Sequence, residues 1–79
     1  MLRRIERDLP KQVLREAEQI FLDRATGYRI AVATVFYRDR QRLMMVAFEE
    51  TDREIIAVTA HPLDEADVEG KVKGGRWVR

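Results

Sequence analysis

Cysteine is absent from this chain of 79 residues, and histidine occurs once, at His61. The first absence excludes disulfides and thiolate metal sites, and a lone imidazole does not make a zinc site. Glycine is scarce, with four residues, and none builds a phosphate-cradling loop, a GxSxG elbow or a dinucleotide fingerprint. The familiar cofactor enzymes are thereby set aside, and no cofactor is expected. The acidic stretch Asp64–Glu69 lacks the alternating oxygen ligands of a calcium loop, so no metal site is expected either. Long apolar runs are also missing. The opening residues MLRRIERDLP hold no signal-peptide core, and no run approaches the roughly 20 apolar residues of a membrane span. A soluble, cytoplasmic protein without membrane contact is the expectation.

What is present is a small core and much charge. At this length the chain is expected to be one domain, residues 1–79, near the lower limit for a single unstapled hydrophobic core. The formal net charge is only +1, but it is unevenly placed. Residues 1–42 carry ten basic and six acidic groups, 43–70 one basic and eight acidic, and 71–79 four basic and none acidic. Twelve of the fifteen basic residues are Arg, whose planar fork suits phosphate and carboxylate. Either these guanidinium groups form a solvated surface with local ion pairs, or they make an anion-binding face of the kind nucleic acid requires.

The segment Tyr28–Pro62 organises the fold. It contains three runs rich in β-branched, aromatic and Met residues, about 28–37, 43–50 and 54–60, separated by the short charged breaks RDRQR and ETDRE. Such short breaks permit only antiparallel neighbours, hence a meander. Before it, Leu9, Pro10, Val13, Leu14, Ala17, Ile20 and Phe21 share one face at helical spacing. The pattern predicts an amphipathic helix over 9–24, capped by Asp8 with Pro10 in its first turn, and only Leu22 breaks it. After the meander, Asp64 is placed to cap a short helix with acidic residues at its start and Lys71 and Lys73 at its end. Gly74-Gly75 stops that helix, and Arg76–Arg79 returns as a short edge strand with Trp77 on the core. The predicted architecture is α+β: an N-terminal amphipathic helix packed on a three- or four-stranded antiparallel β-meander, with a short C-terminal helix.

No strand has a consistently polar side, so both sheet faces need cover. One helix covers one face. The C-terminal segment, the N-terminal arm or a second chain must meet the other, and a homodimer or a bound partner protein is expected. The alternative is that Ala31, Ala33, Ala57 and Thr59 form a weakly apolar face that tolerates water.

For chemistry, His61 is read just past the end of the third strand, and imidazole suits acid or base work at neutral pH. The other reading of His61-Pro62 is a plain turn. Arg29, Arg40, Arg42 and Arg76 are able to neutralise phosphate, and Tyr28, Tyr37 or Trp77 to stack on a base. A general acid/base with cations around a phosphorane is enough for a metal-free ribonuclease.

The order of these features, LPKQVLREAEQIF, then Thr26-Gly27, then MMVAFEETDREIIAVTAHP, resembles the small toxins of the RelE/ParE superfamily. It is most similar to BrnT-type toxins and the related phage barnase/EndoU/RelE-like nuclease domains. In these a helix precedes an antiparallel sheet whose last hairpin runs apolar, charged turn, apolar, ending in Thr-Ala or Ser-Ala. The chain departs from them at its start, where Arg3, Arg4 and Arg7 stand where the nuclease domains often carry a His. The resemblance implies a toxin of a toxin-antitoxin system that cleaves RNA without metal. It implies His61 and Arg76 as catalytic residues and an RNA surface including Arg7, Arg29, Arg40, Arg42, Lys71 and Lys73. It also implies RNA or the ribosome as target, and an antitoxin as partner. The competing reading is a non-catalytic member of the same fold that binds protein or nucleic acid.

Overall fold

A computed structural model describes residues 2–79, with side chains described from Leu9 onward. Its elements are α1 (Leu2–Glu16), β1 (Gln19–Asp23), β2 (Arg29–Tyr37), β3 (Arg40–Glu50), β4 (Ile55–Pro62), α2 (Glu65–Lys73) and β5 (Trp77–Val78). The strands form one antiparallel sheet in the order β4-β3-β2-β1-β5. The class is α+β with two helices, as expected, but the sheet has five strands rather than three or four.

The first helix is corrected at both ends. It begins at Leu2, so Asp8 is an interior position and Pro10 lies inside the helix, where its ring forgoes one i→i−4 hydrogen bond. It stops at Glu16, and Gln19–Asp23 is a strand. Ile20 and Phe21 satisfy a helical stripe and a strand equally well, because both positions are apolar. Pairing decides between them: Phe21 stands opposite Ile30, Gln19 opposite Val32, and β1 thereby covers the free edge of β2. Burial alternates with period 2, leaving Phe21 and Asp23 buried and Ile20 and Leu22 exposed.

The β2–β3 hairpin is tighter than the five-residue break suggested. Arg38 and Asp39 both have positive φ, 52° and 69°, as a two-residue type I′ connection requires. Arg40 pairs with Tyr37 and Arg42 with Val35, so both arginines are strand residues. At the other end of the meander β4 runs to Pro62 and His61 pairs with Met45, which puts His61 within the strand.

The core lies on both faces of the sheet. On one, Leu9 and Val13 of α1 pack on Ala31, Ala33, Val35, Met44, Val46 and Phe48. The two alanines let the helix approach closely and are fully buried, whereas Ala57 and Thr59 on β4 are exposed. The water-tolerant face is thus confined to β4. On the other face, Phe21, Ile30, Val32, Met45, Ala47 and Trp77 form a second cluster, flanked by Leu63 and by Val68 of α2. The C-terminal segment supplies the cover that this face needs. Phe21 and Trp77 stack with ring centroids 5.5 Å apart.

α2 starts as its charges suggest. The Asp64 N–H donates to Asp67 Oδ2 at 3.0 Å, and the Asp64 carbonyl accepts from the Asp67 N–H. The helix ends through Gly75, whose φ of 79° is a left-handed conformation open to glycine at little cost. The chain then turns so that the Arg76 carbonyl accepts from the Arg24 N–H at 2.7 Å and Trp77 pairs with Asp23. The expected short edge strand is present, with Trp77 in the core.

Candidate anion-binding cleft

The end of β4, one side of α2 and the returning tail enclose a cleft of about 470 Å³. Its floor is the sheet, at Ile30, Met45 and Ala47. Its rim carries Tyr28, Thr59, His61, Lys71 and Arg76, with Trp77 on one wall. Pairing with Met45 puts His61 on the same sheet face as the floor, because directly opposed residues share a face.

His61 is exposed, and its Nδ1 lies 2.9 Å from the Pro62 carbonyl oxygen. A carbonyl only accepts, so this contact is a hydrogen bond when Nδ1 carries the proton, and Nε2 then presents a free lone pair. Lys71 is half-buried and holds its ammonium 5.9 Å from the centroid of the Trp77 ring, within cation–π range. Asp67, one turn before it on α2, is an i,i+4 neighbour with which it makes no ion pair among the described residues. Lys73 does lie 4.0 Å from Glu69, on the exposed side of the helix.

Arg76 is held by a carboxylate that the sequence did not single out. Its Nε donates to Asp23 Oδ1 at 3.1 Å and its Nη2 to Asp23 Oδ2 at 3.3 Å, a bidentate fork. The Asp23 side chain is 6% exposed and that of Arg76 46%, so one partner is fixed and the other reaches water. Asp23 Oδ1 also accepts from the Ala25 N–H at 2.9 Å. Burial pushes the Asp23 pKa up. The Arg76 hydrogen bonds, the Ala25 N–H and the Arg76 charge outweigh it, and the net displacement is downward. The Trp77 Nε1–H is buried beside this carboxylate. Its geometry falls short of a hydrogen bond, yet its dipole favours the charged form.

The other candidate residues lie elsewhere. Arg40 and Arg42 line a separate open groove of about 570 Å³ at the hairpin end, which they share with Asp64, Glu65 and Asp67. The Arg42 Nε also donates to the Tyr37 carbonyl at 3.2 Å. Arg29, opposite Phe48 and Leu22, lines a third hollow with Glu49 and Glu50. Arg7 lies outside the residues whose side chains are described. One cleft therefore gathers His61, Lys71 and Arg76, while Arg29, Arg40, Arg42 and Lys73 do not join it. Among the described residues no three acidic or His side chains are grouped to hold a metal ion, and no helix is long and apolar enough to cross a membrane. Compared with known proteins, the chain matches no family model, no curated protein and no solved structure.

Proposed function

We propose that the chain is a RelE/BrnT-like toxin that cleaves RNA, with the cleft beneath α2 as its site. The observation that carries this reading is the convergence of His61, Lys71 and Arg76 on one concave surface. A phosphodiester seated against Lys71 and the solvent side of Arg76 meets two cations, and the neighbouring base finds the Tyr28 ring. His61 Nε2 accepts the 2′-hydroxyl proton. The O2′–P bond forms, the P–O5′ bond breaks, and the departing O5′ takes a proton from water, leaving a 2′,3′-cyclic phosphate. The resemblance adds a cytoplasmic target, RNA free or on the ribosome, and an antitoxin that restrains the activity. A homodimer belongs to the same proposal.

One observation favours a second reading, a non-catalytic module that binds nucleic acid or protein. Asp23 takes two of the N–H groups of Arg76 and neutralises much of its charge. Lys71 is left as the stronger cation, an arrangement better suited to holding an anion than to stabilising a phosphorane.

The test is cleavage of RNA by purified protein in a ribosome-containing extract, with His61→Ala and Lys71→Ala alongside. Loss of cleavage in His61→Ala, with its circular dichroism unchanged, assigns the acid/base role. Intact RNA with every variant, combined with a gel shift that Lys71→Ala abolishes, moves the assignment to the binding module.

A further inference from the structure

β4 leaves one backbone edge free, and its composition says what that edge accepts. From Ile55 to Leu63 the sequence IIAVTAHPL contains no Asp, Glu, Lys or Arg. Ile55 is 50% exposed, and Ile56 and Val58 are 44% exposed. Natural edge strands are blunted by charge, by Pro or by bulges; β4 has no charge along its length, and carries one Pro, at its last position, and one bulge. Hydrogen bonding alternates along an antiparallel ladder, so the inward bond from the Leu63 N–H to the Leu43 carbonyl sets Ala60 and Pro62 facing outward. The bond from the Thr51 N–H to the Glu54 carbonyl likewise sets Ile55 and Ala57 outward. Pro62 falls at an outward position, where its missing N–H costs no ladder bond. A register shift between Ala47 and Phe48 leaves Val58 unpaired, dividing the free edge into two short segments.

The flanks of this strand are acidic at both ends. Glu49 and Glu50 stand opposite Ile56 and Ile55, Glu54 precedes the strand, and Asp64 and Glu65 follow it, with Arg53 the one cation in the sequence between Glu49 and Glu65. Arg29 shares a hollow with Glu49 and Glu50, and Arg40 and Arg42 share a groove with Asp64 and Glu65, in both cases without an ion pair among the described residues. None of these carboxylates takes part in an ion pair among the described residues. Antiparallel pairing of β4 with a second copy of itself brings acidic end against acidic end, which is unfavourable.

We infer that β4 is a docking edge for an extended apolar segment of another protein that carries Lys or Arg at both ends and adds to the sheet as a sixth strand. Main-chain bonds at Ala57 and Ala60 supply the attachment, and the two acidic flanks select the partner. This inference does not depend on the chemistry of the cleft.

The experiment titrates the ¹⁵N-labelled full chain with a synthetic peptide of alternating Val and Thr, bearing Lys-Arg at each end. The expected result is amide shifts confined to β4 and the facing residues of β3. Binding is expected to weaken about tenfold when the peptide ends are Glu, and to weaken with added salt. Ala57→Pro removes one outward N–H and is expected to abolish the shifts while Trp77 fluorescence stays native. Glu54→Lys leaves the backbone intact and is expected to weaken binding through charge alone. Absence of shifts at millimolar peptide overturns the inference, as does equal binding of the Glu-ended peptide. So do shifts centred on α2 or β5, or a concentration-dependent dimer in which the β4 amides become protected.

Discussion

Asp23 is the residue on which the tail depends. Its carboxylate accepts from Arg76 and from the Ala25 N–H while nearly removed from water, and loss of such a charged acceptor leaves its donors unpaired. Asp23→Asn is expected to destabilise the protein by about 1 to 2 kcal/mol at neutral pH. The folded-state pKa is displaced downward from 3.8. The stabilisation is therefore complete above the unfolded value and disappears as pH falls through the folded one. Urea denaturation of wild type and variant at neutral pH and near pH 3 checks this, and the two midpoints are expected to draw together in acid. Nothing local in the sequence marks Asp23, which reads as a surface acid near the end of a helix. Its importance comes from a guanidinium 53 positions away, and only the fold brings the two together. His61 and Lys71, by contrast, are legible because each lies near the end of an element whose type the local pattern reveals.

β1 is the element where period analysis fails, and the reason is specific. QIFLD offers apolar side chains at adjacent positions, so Ile20 and Phe21 complete a helical stripe begun by Leu9 and Val13. Leu22 contradicts that stripe and fits a strand instead. α2 and β5 are legible for the opposite reason: Asp64, the paired charges and Gly74-Gly75 set boundaries independently of the hydrophobic period. The placement of β1 makes Phe21 a junction, since its ring is 1% exposed and stacks on Trp77. Phe21→Ala is expected to cost about 3 to 5 kcal/mol and to shift Trp77 emission to the red as water reaches the indole. A near-neutral change with unshifted emission contradicts the packing of β1 described above. The meander itself was legible almost throughout, because β2, β3 and β4 each carry long β-branched or Met-rich runs.

At the scale of the molecule, the arrangement of charge follows the arrangement of strands. The basic tail folds back to β1 at one side of the sheet, while β4, flanked by Glu49, Glu50 and Glu54 at one end and by Asp64 and Glu65 at the other, forms the opposite side, so the two edges present different environments. The edges also differ in how they are reached. β1, β2, β3 and β4 are joined by short connections, and neighbouring pairs close small loops at little entropic cost. The pairing of β1 with β5 joins Leu22 to Val78, across most of the chain. Local hairpins are therefore expected to form the folding nucleus, with the tail docking after the rate-limiting step. Asp23→Asn is then expected to accelerate unfolding and leave the folding rate nearly unchanged. Stopped-flow measurements across urea test this, and a slowed folding arm with an unaltered unfolding arm places the tail in the nucleus instead. The Asp23–Arg76 fork thus acts as a kinetic latch, which closes after the sheet has formed and sets how long the face beneath α2 stays shut.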